Sequence, residues 1–135
     1  MNLDPLIRFY EELTPDNLAR FPVFYAEDAW FKDPFNEVRG IAAIQRIFAH
    51  MFERTVEPRF VVTERLADDN SAMLVWEFRY GKDRRIRGVS HSRFADDGRV
   101  AYHRDYWDAA EELYENIPML GRLMRGLKGM LSAEK

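Results

Sequence analysis

The chain has 135 residues, a formal charge of −3, no cysteine, 14% aromatic and 32% charged residues. That length supports one domain with one sizeable core, and the aromatic content argues against disorder. The mild negative charge, with only a modest basic cluster near the C-terminus, speaks against nucleic acid as a partner, and the lack of cysteine excludes a disulfide framework or a thiolate metal site. The start, MNLDPLIRFY, has no basic region followed by an apolar run. Nor does any stretch reach the uninterrupted apolar length of a membrane span, so a cytoplasmic location is expected.

Asp4-Pro5 opens a helix whose Leu6, Phe9, Tyr10 and Leu13 form an apolar stripe. Thr14-Pro15-Asp16 breaks it and caps a second helix, which buries Leu18 and Phe21 and extends toward Phe24 and Tyr25, with Pro22 bending or ending it. A short strand over Ala29-Trp30-Phe31 stops at Asp33-Pro34, and Asn36 to Gly40 forms a turn or brief hairpin. Ile41, Ile44, Ile47, Phe48 and Met51 then recur at helical spacing up to Arg54.

Four strands come after this helix, at Arg59 to Leu66, Ser71 to Tyr80, Ile86 to Phe94 and Val100 to Trp107, separated by turn-rich segments. Helices first and an antiparallel meander second define an α+β fold, with helices on one side of a curved sheet. In the second of these strands Leu74, Trp76, Phe78 and Tyr80 share a face, while Met73 and Val75 make the other face partly apolar too. Both faces are therefore expected to be covered, one by helices and the other by a partner subunit.

The last two strands flank Asp96-Asp97-Gly98 and read as a long hairpin. Alternation puts His103 and Asp105 on one face with Ala101 and Trp107, and Tyr102, Arg104 and Tyr106 on the other. A two-residue Asp97-Gly98 turn sets His103 opposite Ser92 and Asp105 opposite Ser90; a three-residue loop with a bulge shifts that pairing by one. After Trp107, Asp108 caps a short helix through Tyr114. Pro118 restarts a helix in which Met119, Leu120, Leu123, Met124, Leu127, Met130 and Leu131 form a wide stripe with Arg122, Arg125 and Lys128 outside it. Such a helix packs on the sheet or a dimer partner, or else lies on a membrane surface.

The order of three helices, a strand ending in Asp-Pro and a four-strand meander, with the segments FYAEDAWFKDP, GIAAI and SRFADDGRVAYHRDYW, resembles a known fold family. It is the cone-shaped α+β barrel of nuclear transport factor 2, ketosteroid isomerase, scytalone dehydratase and the SnoaL-like polyketide cyclases. The resemblance covers nearly the whole chain to Trp107 and implies a single domain over 1–135, in which 108–135 are a C-terminal helical extension. Asp33 matches the base of ketosteroid isomerase. Phe9 and Ser90 stand where that enzyme has the tyrosine and protonated aspartic acid that stabilise its enolate. Phe9 cannot donate and Ser90 is a weak substitute, which disfavours steroid isomerisation unless Tyr10 or Tyr25 supplies a donor. The resemblance further implies that His103, Asp105 and Trp107 line a cavity, with Asp105 nearest to the acid/base aspartate of the cyclases.

Taken together, Asp33, His103 and Asp105 are the expected catalytic residues, and Phe9, Tyr10, Tyr25, Trp30, Trp76, Phe78, Ser90, Ser92 and Trp107 the expected cavity and ligand-binding residues. A carboxylate in an apolar hollow facing a second carboxylate suits proton abstraction next to a carbonyl, or water loss, in a small apolar ligand. No nucleotide motif, phosphate-cradling loop or activated nucleophile is present, and no ligand spacing marks a metal site, so no cofactor is expected. A homodimer through the sheet is expected from the doubly apolar strand and from the habit of the resembled family. Two alternatives stand beside the isomerase, cyclase or dehydratase reading: a non-catalytic binder of a lipophilic molecule, and an interaction module whose C-terminal helix docks a partner or a membrane. Asp33 as a turn cap, and His103 with Asp105 as a buried structural pair, are the corresponding structural readings.

Overall fold

A computed structural model describes residues 1–112 together with residues 122, 126, 127, 129 and 130. Helix α1 (Asp4–Glu11) carries Pro5 in its first turn, where a missing N–H breaks no helical hydrogen bond, and buries Leu6, Phe9 and Tyr10. Asn17 stitches the next turn onto it: its Oδ1 accepts from Thr14 N at 2.7 Å and its Nδ2 donates to Glu12 O at 2.9 Å. A 3-10 helix (Pro15–Arg20) and a single α-turn, α2 (Phe21–Phe24), come next. Tyr25, expected at the end of a helix, instead begins strand β1 (Tyr25–Lys32), which is longer than the three-residue strand predicted. Pro22 in the first turn of α2 is compatible with the helix start, and the chain turns extended at Tyr25.

β2 (Glu37–Arg39) forms the brief hairpin with β1, and α3 (Ile41–Arg54) buries Ile44 and Phe48. Strands β3 (Arg59–Ala67), β4 (Ser71–Tyr80), β5 (Arg84–Phe94) and β6 (Val100–Tyr106) make the antiparallel meander. The sheet is mixed and open, in the order β2-β1-β6-β5-β4-β3, not a closed barrel. Closure fails because β2 and β3 are both edges, and the one parallel pairing, β1 with β6, brings the first strand beside the last. That pairing places Phe31 level with His103.

The β5–β6 hairpin combines both registers considered from sequence. Ala95 N donates to Arg99 O at 2.8 Å around a three-residue loop, with Gly98 at φ +85° where a side chain would be strained. Ala101 then bulges out unpaired, and the ladder resumes with Ser92 opposite His103 and Ser90 opposite Asp105. On the opposite edge of the sheet, β3 is bulged at Thr63, and Glu11 reaches from α1 to accept the outward Val62 N–H at 3.0 Å.

The inner face holds the core, where Phe21, Phe31, Ile44, Leu74 and Val100 are essentially inaccessible. Helices α1, α2 and α3 cover this face. On the outer face Trp30 stacks on Tyr102 at 4.9 Å, Arg93 lies 5.2 Å from the Tyr102 ring and Arg104 4.8 Å from that of Tyr106. Helix α4 (Ala109–Glu112) is capped by Asp108, whose Oδ1 accepts from Glu111 N at 3.0 Å, and is tied to β5 by Arg87 through Glu111 and Glu112. The expected end of this helix at Tyr114 and the amphipathic stripe of the tail lie outside the described residues. No helix among the described residues is long and apolar enough to cross a membrane.

Candidate active site

The site is assembled on the inner face where β6 lies between β1 and β5. Alternation along β6 turns His103 and Asp105 inward and Tyr102 and Arg104 outward. The His103 imidazole is almost wholly buried, with 3% of its side chain accessible, against 14% for Asp105. A continuous hydrogen-bond chain runs through it. Tyr10 OH contacts Tyr25 OH, which lies 2.7 Å from His103 Nδ1, and His103 Nε2 lies 2.6 Å from Asp105 Oδ1. From the other side Trp76 Nε1 donates to Ser90 Oγ at 2.8 Å, and Ser90 Oγ donates to the same Asp105 Oδ1 at 2.5 Å.

The indole and the carboxylate fix the direction of the bonds around Asp105. The indole N–H can only donate, so Ser90 accepts from it and passes its own proton to the carboxylate. Burial is the main cause that pushes the Tyr10 and Tyr25 hydroxyls above their ordinary value, and the Asp105 charge adds to it, so both remain phenols. The Asp105 carboxylate can only accept, so His103 Nε2 carries a proton and donates it to that hydrogen bond, and in the neutral imidazole Nδ1 then accepts from Tyr25. Side chains from α1, β1, β4, β5 and β6 therefore converge on one oxygen of one carboxylate. Asp105 Oδ2 has no hydrogen-bond partner among the described residues.

Gly88 makes the Trp76 arm possible. It pairs directly with Trp76 across β4–β5, and a Cβ there would come within 2.5 Å of the indole ring. The bare backbone lets the indole lie flat across β5 and reach Ser90 two residues on.

Three adjoining hollows meet at Asp105: an inner one, an outer cleft, and at the strand ends an open depression of about 490 Å³ lined by Lys32, Asp33, Arg104 and Trp107. The inner one, about 20 Å³, is lined by Tyr10, Ser90, His103 and Asp105 and has room for about one water. The outer one is a cleft of about 180 Å³, walled by Phe60, Trp76, Phe78 and Trp107 with Asp33, His50 and Asp105 as its ionisable groups. It is smaller than the roughly 300–1,000 Å³ of drug-sized ligand sites.

Asp33 and Asp105 thus share the outer cleft, and His103 stands behind Asp105. Asp33 is occupied by its own turn: Oδ1 accepts from Phe35 N at 2.8 Å, Asn36 N at 2.7 Å and Asn36 Nδ2 at 3.0 Å, and Oδ2 from the same amide at 3.2 Å. Phe9 packs into the core against Phe21 and Phe24, away from these hollows. Trp30 does not line the cavity, since Phe31 faces inward and its neighbour must therefore face out. Ser92 is buried beside His103 with no hydrogen-bond partner for its Oγ among the described residues. Sequence reasoning assigned no role to His50, at the rim of the cleft, although it follows Ile47 by three residues and precedes Met51, both of which line the same wall.

Helices on the inner face of an open mixed sheet, with a buried polar centre between them, fit the cone-shaped α+β class. The chain belongs to the SnoaL-like domain family, whose profile matches residues 6–103. Among solved structures it is similar to a candidate SnoaL-like polyketide cyclase from Jannaschia sp. CCS1, at 15% identity and TM-score 0.70 over 81% of this chain and 86% of that one. A candidate isomerase of the SnoaL-like family from Agrobacterium tumefaciens gives 16% identity and TM-score 0.67 over 78% and 92%. A candidate ketosteroid isomerase from Kribbella flavida gives 26% identity and TM-score 0.62 over 74% and 72%. No curated protein matches the chain.

Proposed function

We propose that the protein is a cofactor-independent isomerase, cyclase or lyase that moves a proton next to a carbonyl in a small, mostly apolar ligand, with Asp105 as the acid/base. One observation carries this reading: Asp105 receives His103 Nε2–H and Ser90 O–H on Oδ1 while Oδ2 has no partner among the described residues, at the junction of the inner hollow and the outer cleft. Donors fixed on one oxygen hold the carboxylate still, so the other can take a proton from bound carbon acid without reorganising its surroundings. His103 positions Asp105 and is itself positioned by Tyr25. Asp33, the base suggested by resemblance, has both oxygens engaged by its turn, so the proton transfer is assigned to Asp105, with Asp33 as the second carboxylate beside it on the neighbouring strand.

The reaction can be tested without identifying the natural substrate. A panel of small ketones, neutral and ammonium-bearing, in heavy water is followed by NMR for enzyme-dependent deuterium uptake at the carbon next to the carbonyl. Uptake abolished by Asp105→Asn in a folded protein supports the assignment. Ligand binding with no uptake on any member of the panel favours the non-catalytic binder, and uptake unchanged in Asp105→Asn refutes the role of Asp105. The outer face, with Trp30 on Tyr102 and with Met73 and Tyr106 exposed, supports the proposal of a homodimer through the sheet. A monomer mass by light scattering at micromolar concentration would contradict it.

A further inference from the structure

The outer cleft is unusual in how its charges are sorted. At the end of β1 Lys32 precedes Asp33 and on β6 Arg104 precedes Asp105, and alternation brings the two acids to the cleft while the two bases line only the neighbouring depression at the strand ends, which Asp33 and Asp105 also reach. Lys32 pairs with Glu37 at 3.1 Å and Arg104 lies over Tyr106, so both are engaged elsewhere. No lysine or arginine lines the cleft among the described residues, and its one basic-type side chain is the His50 imidazole at the rim. Among the described residues Asp33 accepts hydrogen bonds only from uncharged donors.

The remaining wall is mainly aromatic, completed by Ile47, Met51 and Ile86. Phe31, Phe48, Phe60, Trp76, Phe78 and Trp107 all contribute to it. Aromatic faces attract cations through their quadrupole, and a carboxylate set among them adds its own Coulombic attraction. Anions meet two like charges here, whereas a neutral apolar molecule leaves them without a partner.

From these observations we infer that the cleft selects a compact organic cation, a methylated or short-chain alkylammonium group, over neutral molecules of the same shape. The inference rests on the cleft being the ligand site of the reading above, and on that reading the ammonium belongs to the substrate itself. The Asp33 side and the aromatic wall hold the charge, and Asp105 Oδ2 meets the carbon acid.

The probes are choline and its uncharged carbon isostere, neopentyl carbinol, titrated into the full chain at about pH 8, where an ordinary imidazole is neutral. Choline is expected to bind at least about tenfold more tightly than the isostere. Asp33→Asn is expected to reduce that preference several-fold, and Trp107→Leu, which leaves both acids intact, to weaken choline more than the isostere. Equal affinity for the two probes, binding of neither, or a preference untouched by both substitutions overturns the inference. The acid/base reading is scored separately by deuterium uptake. A choline preference without uptake retains the inference and sinks the reading, and uptake without a choline preference does the reverse.

Discussion

Asp33 and Asp105 stand at the ends of neighbouring parallel strands and face the same cleft, yet their surroundings differ in kind. Every hydrogen bond to Asp33 comes from within three residues of it, in the turn after β1. Asp105 is reached by His103 on its own strand and by Ser90 from β5, and behind those stand Tyr25 on β1, Tyr10 on α1 and Trp76 on β4. A carboxylate held by its own turn can be explained by local chain direction alone. One served by side chains from five elements draws on the whole fold, and that arrangement is what makes it the stronger candidate for chemistry.

The sharpest way to break this contrast is to neutralise each acid in turn. Asp105→Asn should lower deuterium uptake by about two orders of magnitude or more, in line with the usual contribution of a positioned acid or base. Asp33→Asn keeps acceptors for the turn and should lower it less. Equal losses would mean that the two carboxylates act as one unit.

Next in size is Gly88→Ala, which drives a methyl into the Trp76 ring and should destabilise the domain by about 1–3 kcal/mol, read from the denaturant midpoint. Adding Trp76→Phe shortens the ring and should restore part of that loss. No restoration would show that Gly88 matters for some other reason.

Tyr25→Phe removes both the donor to His103 Nδ1 and the partner of Tyr10, and should cost about 1–3 kcal/mol because buried polar groups are left unmatched. Paired with Tyr10→Phe in a double-mutant cycle, it should be clearly non-additive. A smaller effect is expected in alkaline solution. Both phenols are held above their ordinary value of 10.0, so the folded chain keeps protons that the unfolded chain releases. Their contribution is complete below about pH 10 and declines as the pH rises from there toward the folded-state values. The double Phe variant should show a flatter loss of stability across that alkaline range.

Much of the fold is legible in the chain, and the failures have physical causes. The four meander strands and α3 follow from periodicity, and the pairing of His103 with Ser92 is one of the two registers the turn allows. The turn cannot choose between them because the choice is made further along β6: Ala101 absorbs the extra residue that the three-residue loop introduces. Tyr25 lies next to Phe21, Pro22 and Phe24 and shares their composition. Only its pairing with β6, whose partner residue Val100 is remote in sequence, makes it a strand. That same parallel pairing is silent in local patterns, and with it the fact that Trp30 faces out. His50 carries no signal beyond its place on the margin of an apolar stripe.

An open sheet has a cost that a closed one avoids, since each free edge can template another chain. Here the long free edge belongs to β3, and a carboxylate from the first helix sits on one of its outward amides while a bulge twists the next residue out of line. Polymerisation by strand addition would have to evict Glu11 before it could begin, so the helix that covers the core also guards the open edge.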